Sequence, residues 1–305
     1  MTTEQKFPGA LEIRSKQDAD LRNAIGYAYL HSPFYRAWMD KHQVDPHSIQ
    51  QTADLVHLPT TTKDDLHRHN DAFCCVERSR IAEYMTTSGT LGSPVTIALT
   101  QADLDRLALN ECGSFLCAEG YAGEVYQLML TLDRQFMAGI AYYTGLMRMG
   151  GAVIRVGPGV PSLQWENILR WKPDAIVAVP SFILKLIRYA QENGIDYRGS
   201  SVKKAICIGE NIRQTDFSLN ELGRRIAQEW PIKLYSTYAS TEMQTAFTEC
   251  GAGQGGHLQP DLLVVEILDS VGNPVQEGQP GEVTITTLGI EGMPLIRYRT
   301  GDICV

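Results

Sequence analysis

The spacing of apolar positions changes character twice along the chain. Over residues 11 to 85 it is helical: Leu21, Ala24, Ile25, Ala28 and Tyr29 fall at i, i+3, i+4, i+7 and i+8, one stripe of an amphipathic helix, with no strand run. Pro33 and Pro46 interrupt the helical pattern after this stripe, and LPTTTKDDL sets Thr62 three residues before Asp65, a capping-box spacing that starts a short helix at Lys63. From about 95 to 236 the pattern alternates. A helix over Ala102 to Glu119, with Leu104, Leu107, Ala108, Phe115 and Leu116 inward, precedes strands at Gln127 to Leu132 and Ala152 to Val156. Ala175 to Val179 is a strand ending at Pro180, Phe182 to Glu192 a helix stopped by Gly194, and Lys203 to Ile208 and Ile232 to Ser236 are further strands. Alternating strands and helices predict an α/β sheet. After 260, LLVVEIL, the turn residues of DSVGNP, and GEVTITTL predict a β-ribbon. The expected division is a helical N-terminal subdomain at 1–85, an α/β core at 86–260 and a β-rich, barrel-like segment at 261–305.

Composition narrows the function classes. At 305 residues, 44% hydrophobic and 20% charged, the chain is an ordinary folded protein of one large domain or about two. Lys plus Arg is 27 against 35 for Asp plus Glu, so a net charge of −8 provides no overall positive field for nucleic acid or anionic lipid. No stretch reaches the roughly 18 to 20 uninterrupted apolar residues of a membrane span, and the start has no basic segment leading into an apolar one. The expectation is a cytoplasmic protein with neither nucleic acid nor membrane as partner. The seven cysteines, Cys74, Cys75, Cys112, Cys117, Cys207, Cys250 and Cys304, are odd in number and form no CxxC pair, which favours reduced thiols.

Three segments carry candidate chemistry. TTSGTLGSP, Thr86 to Pro94, offers hydroxyls and small residues between an apolar entry and a strand-like exit, a composition that lets backbone N–H groups converge on polyphosphate oxygens. It is no Walker loop, and a Ser/Thr/Gly-rich hairpin turn has the same composition. YSTYASTEM, Tyr235 to Met243, would stand at the carboxyl end of a strand, where α/β sheets bind ligands, and Glu242 there could hold a hard cation or be a solvated surface glutamate. IRYRTGD puts Arg297 and Arg299 on one strand face and ends on an acid suited to vicinal ribose hydroxyls, or closes a barrel as a charged edge strand. GAGQGG at Gly251 to Gly256 satisfies GxGxxG but opens no helix, so it is not read as a dinucleotide site.

Together these segments resemble the adenylate-forming acid ligases, in particular the phenylacetate-CoA ligase group. TSGTLGSP looks like that group's phosphate loop SSGTTGKP, YASTE like its YGxTE, and GEVTITTLGIEGMPLIRYRTGDI like its GELVFTTLxxEAMPxIRYRTxD element. SPFYRAWMDKHQVDP, LPTTTKDDL and FMAGIAYYTG resemble further blocks in the same order, so the resemblance covers nearly the whole chain. It implies the large domain of an AMP-forming acid–CoA ligase: ATP activates a small carboxylic acid as its acyl-adenylate, and coenzyme A displaces AMP.

By that resemblance Thr87, Ser88, Gly89, Thr90 and Gly92 cradle the β- and γ-phosphates, Thr241 and Glu242 are catalytic, and Glu242 ligates Mg²⁺. Gly209, Glu210, Tyr238, Ala239 and Ser240 look like the adenine slot, with Asp302 on the ribose. FMAGIAYYTG aligns with FTGGLGFHYG, so Phe136, Ala138, Gly139, Tyr142 and Pro180 are candidates for an aryl-acid pocket; plain core is the competing reading. A change of acid preference in Gly139→Trp is the expected sign of the pocket. Cys250 and His257 match an ECxxxxGxH segment and, with Cys304, suggest an incomplete structural zinc set. A homodimer is expected by resemblance.

Ser93 departs from the lysine of GKP, Ala239 from a glycine, and Tyr143 from a frequent histidine. The resembled group also continues past RYRTGD into a hinge and a small mobile domain that supplies a lysine. The sequence therefore leads one to expect ATP binding with weak adenylation. An adenylyl transferase of the deazaflavin-adenylating type, or a nucleotide-binding module without catalysis, are the alternatives.

Overall fold

A computed structural model describes residues 9–87 and 95–305. Two units emerge, one of residues 9–103 with 259–305, the other of 104–258.

In the first unit, α1 (Ala10–His31) buries Leu21, Ala24, Ile25 and Ala28, four of the five positions of the periodic stripe. Ser32 ends α1 and begins α2 (Pro33–Lys41): its hydroxyl accepts from Tyr35 N–H, and Pro33 supplies the first helical position. In α3 (Lys63–Arg68) the capping box forms, Thr62 and Asp65 exchanging side-chain to backbone bonds; α4 (Asn70–Phe73) comes next. The helical third then ends on an unforeseen strand, β1 (Glu83–Thr86), antiparallel to β2 (Thr96–Leu99).

The next helix, α5 (Gln101–Cys117), enters the second unit, where β3 (Val125–Leu128), α6 (Met137–Met149), β4 (Ala152–Arg155), α7 (Pro161–Trp171) and β5 (Ala175–Ala178) alternate. They continue through α8 (Pro180–Glu192), β6 (Lys204–Cys207), α9 (Glu221–Glu229), β7 (Lys233–Ser240), β8 (Thr245–Glu249) and β9 (Gly256–His257). The seven strands form one sheet in the order β4-β3-β5-β6-β7-β8-β9, parallel from β4 to β7 and antiparallel beyond. Helices cover both faces, so β5 and β6 are buried at every position; β5 is an unbroken apolar run, and β6 is apolar after Lys204, whose buried ammonium pairs with Glu124. Their side chains divide by the period of two. Ile176, Ala178, Ala205 and Cys207 pack with Trp165 of α7, Leu186 of α8 and Ile226 of α9, whereas Ala175, Val177 and Ile206 pack with Phe115 of α5 and Leu146 of α6. Gly150, at φ +85°, closes α6 in the left-handed conformation.

The inward stripe of α5 differs from the expected one. Leu107, Ala108 and Phe115 are buried, but Leu116 is 53% exposed and Leu104 only half-buried, while Asp103, Arg106, Asn110, Glu111 and Ser114 face inward. The helix is rotated toward its polar residues because several of them meet backbone groups: the Arg106 guanidinium donates to Gln244 O (3.0 Å), and the Asp103 carboxylate accepts from Thr100 N–H (2.9 Å).

Back in the first unit, β10 (Leu263–Leu268), β11 (Gly281–Thr287) and β12 (Tyr298–Cys304) form a three-stranded antiparallel sheet. This is the structure of the segment read as barrel-like. Arg297 does not lie on a strand face with Arg299. It precedes β12 at φ +47° and forks onto Glu266 of β10, while Arg299 pairs with Glu282 of β11, so the two arginines reach different strands.

Candidate functional site

In the order β4-β3-β5 the chain leaves β3 by α6 to reach β4, then crosses back by α7 to β5. The reversal falls between β3 and β5. At such a switch point the loops beyond the strands' carboxyl ends part and leave a crevice, the usual ligand position in open α/β sheets. Candidates from distant parts of the sequence emerge along this edge. Phe136, Ala138 and Gly139 come after β3 at the start of α6, Pro180 comes after β5 as the first residue of α8, Gly209 and Glu210 come after β6, and Tyr238 to Glu242 end β7.

The loop between β3 and α6 is tightly constrained. Arg134 and Gln135 both hold positive φ, at +59° and +57°, which costs a non-glycine residue of order 1 to 3 kcal/mol. A Cβ at Gly139 would collide with the carbonyl of Thr131 and the backbone of Leu132, so glycine here lets α6 approach that loop. Gly139→Trp therefore displaces backbone and does not report on acid choice alone. Ala138 and Tyr142 pack on the core under the sheet; Phe136, 39% exposed, stands at its rim. Tyr143, at the position of a frequent histidine, carries the Arg155 guanidinium 5.2 Å from its ring centroid.

The loops after β5 and β6 are tied together. Ser181 N–H donates to Glu210 Oε2 at 2.7 Å and its hydroxyl to Oε1 at 2.8 Å, and Val179 lies under Gly209. Glu210 thus acts first as a clamp on the start of α8, a partner that Ser181 gave no sequence signal for.

Strand β7 runs four residues further than expected. Its parallel pairing with β6 ends at Ser236, after which Tyr238, Ala239 and Ser240 pair antiparallel with Phe247, Ala246 and Thr245. Thr241 and Glu242, both half-buried, occupy the next turn. Ser240 Oγ accepts from Met243 N–H at 3.2 Å, and Gln244 closes the turn at φ +52° with its carbonyl held by the buried Arg106. Arg106 is the positioning residue that hydrophobic periodicity passed over; an arginine on the inward face of a helix was the available signal.

Behind this edge Arg213 forks onto Glu249, whose Oε2 also accepts from Ser236 N–H at 3.0 Å. The pair joins the segment after β6 to β8.

In the other unit, Asp302 is exposed on β12, its N–H donating to Thr300 Oγ1. The Thr87 hydroxyl accepts from Val95 N–H at 3.1 Å. Ser88, Gly89, Thr90, Gly92 and Ser93 lie outside the described residues. Cys250 comes directly after β8, and the exposed His257 sits on β9 opposite Thr248. Among the described residues no group of three or more His, Cys, Asp or Glu is placed to hold a metal, so these two lack the further ligands of a tetrahedral zinc set. No helix among the described residues is long and apolar enough to cross a membrane.

Residues 13–291 match the family described as AMP-binding enzyme. The chain belongs to the AMP-binding enzyme family. Among relatives, it is 31% identical over 300 residues to phenylacetate-coenzyme A ligase of Aromatoleum evansii, covering 96% of this chain and 66% of that one. The phenylacetate-coenzyme A ligase of Thermus thermophilus is 28% identical over 297 residues, covering 96% and 65%. The chain thus spans about two thirds of the length of the relatives it matches. An open conformation of 2-hydroxyisobutyryl-CoA ligase, solved with 2-HIB-AMP and CoA, superposes with a TM-score of 0.86 at 22% identity, over 99% of this chain and 70% of that one. That likeness shows the fold alone.

Proposed function

We propose that this chain carries the adenylate-forming site of an AMP-forming carboxylic acid–CoA ligase of the phenylacetate type. The supporting observation is the convergence of Gly139, Pro180, Gly209, Glu210 and Tyr238 to Glu242, four separate stretches, on the carboxyl ends of neighbouring strands β3, β5, β6 and β7. In this reading residues 86–260 are the nucleotide-binding core. Gly209, Glu210, Tyr238, Ala239 and Ser240 flank the adenine, Asp302 takes the ribose hydroxyls, and Thr87, Ser88, Gly89, Thr90 and Gly92 hold the β- and γ-phosphates.

Phe136, Ala138, Gly139, Tyr142 and Pro180 line the acid pocket and present the substrate carboxylate to the α-phosphate, which Thr241 hydrogen-bonds. One half-buried carboxylate is the donor set Mg²⁺ accepts from a protein when substrate phosphates complete its shell, so Glu242 fits it. The ion, when bound, neutralises charge at the phosphates. A carboxylate oxygen attacks the α-phosphorus, the bond to the bridging oxygen breaks, and pyrophosphate leaves with the electron pair. The thiolate of coenzyme A then attacks the acyl carbon and AMP departs. The residues named act by holding carboxylate and phosphate in line, the positioning contribution to the rate.

Titration calorimetry with AMP, Mg²⁺-ATP and NAD⁺ tests the reading. AMP and Mg²⁺-ATP bind and NAD⁺ does not; Glu242→Gln weakens Mg²⁺-ATP by about tenfold, the loss of one charge-assisted contact, and leaves AMP nearly unchanged. Binding of NAD⁺ with no response to AMP contradicts it, and an equal loss for AMP and ATP removes Glu242 from the metal.

A further inference from the structure

Glu111 is one of the polar residues that α5 turns inward, and one of its oxygens is idle among the described residues. It is 3% exposed; Asn110 Nδ2 donates to its Oε1 at 3.1 Å, and its buried Oε2 has no partner among the described residues. The side chain lies against α6 where Gly145 makes room, since a Cβ at 145 would collide with Glu111 Cβ. Tyr142 stands on the same helix one turn earlier. Its hydroxyl is pushed well up, first by burial and then by the charge of Glu111, and it faces Thr237 of β7. Burial raises Glu111 itself to about 8, so at neutral pH it is an uncharged acid with one O–H to donate and one carbonyl to accept.

A buried polar atom without a partner destabilises the fold, and an apolar residue of similar volume avoids that cost. Phe115 of α5 and Leu146 of α6, neighbouring positions on the two helices, are apolar core, so packing alone asks for no acid here. A ligand group that both donates and accepts would satisfy the idle oxygen.

We propose that Glu111 is a specificity-determining residue of the acid pocket, its carboxyl hydrogen-bonding a hydroxyl or amino substituent on the ring of an aryl acid. The inference rests on the pocket of the proposed function, through Tyr142. The substituent's hydrogen reaches a Glu111 oxygen while the Glu111 O–H points to the substituent's lone pair. A site built this way rejects the acid lacking the substituent, because binding it leaves the carboxyl unsatisfied.

The test is affinity for hydrolysis-resistant sulfamoyl-adenosine derivatives of phenylacetic acid and of its ortho-, meta- and para-hydroxy forms. These are compared in the wild-type chain, Glu111→Gln and Glu111→Val, with AMP as control and thermal unfolding to confirm folding. At least one hydroxylated compound binds the wild type about tenfold or more tightly than the parent, the advantage collapses in Glu111→Val, and Glu111→Gln, which keeps a donor and an acceptor, retains part of it. AMP binding is the same in all three. If the parent binds the wild type as well as every hydroxylated form, or the advantage survives in Glu111→Val, the proposal is overturned. Failure of AMP and all four compounds alike overturns the nucleotide site, and this inference with it.

Discussion

Glu111→Gln stabilises the protein at alkaline pH and changes it little at pH 4. The carboxyl moves from 4.5 to about 8 on folding because burial disfavours its charged form, opposed only by the Asn110 hydrogen bond. Between those values the unfolded chain has released a proton that the native chain still binds. Folding therefore takes up a proton, and stability falls as pH rises through the window by up to about 1.4 kcal/mol per unit. Below the unfolded value both states are protonated and the term vanishes; above the folded value both are ionised and the decline stops, after a total on the order of 5 kcal/mol. The glutamine variant lacks this slope. Urea unfolding from pH 4 to 9 should give curves that meet at the acid end and diverge with pH; parallel curves would contradict a buried neutral acid at this position.

Glu249→Ala loses about 3 to 5 kcal/mol of stability, the cost of leaving one charge of a buried pair unpaired. The Glu249 side chain is 4% exposed, and besides Nε and Nη2 of Arg213 it takes the Ser236 N–H. Its loss strands the guanidinium and that backbone donor together, and frees the segment after β6 that carries Gly209 and Glu210. The double variant Arg213→Met with Glu249→Leu recovers much of the deficit, since removing both charges removes the desolvation penalty along with the attraction. Denaturant midpoints of the two singles and the double measure it; a loss under about 1 kcal/mol in Glu249→Ala would mean that water reaches the pair.

The parallel strands of the sheet are legible because both of its faces are covered: AIVA is an unbroken apolar run and AIC follows one buried lysine in β6, whereas among the helices only α5 and α8 carry a pattern that the sequence reading uses. Less legible was whatever depends on partners far away in the chain. Strand β7 looked finished at Ser236 because its continuation is polar, yet antiparallel pairing with β8 carries it to Ser240. Helix α5 misled for the same reason. Leu104 and Leu116 fit the periodic stripe, but Arg106 has a backbone carbonyl of another element to meet, and a hydrogen bond to a buried carbonyl outweighs the exposure of one leucine. For the candidate site, the motifs named Gly209, Glu210 and Tyr238 to Glu242; the residues holding them, Ser181, Arg106 and Arg213, belong to no motif. Their identity comes only from the fold.

The proposed function requires the carboxyl edge of this sheet to accommodate an acyl-adenylate. Thermal unfolding with phenylacetyl sulfamoyl-adenosine, AMP and Mg²⁺-ATP, each at the same concentration, tests it most directly, since a ligand at 100 times its Kd adds about 2.7 kcal/mol to the native state. The largest rise in Tm is expected with the acyl-adenylate analogue, which fills nucleotide and acid subsites at once, and smaller rises with AMP and ATP. An unchanged Tm with all three compounds would contradict it.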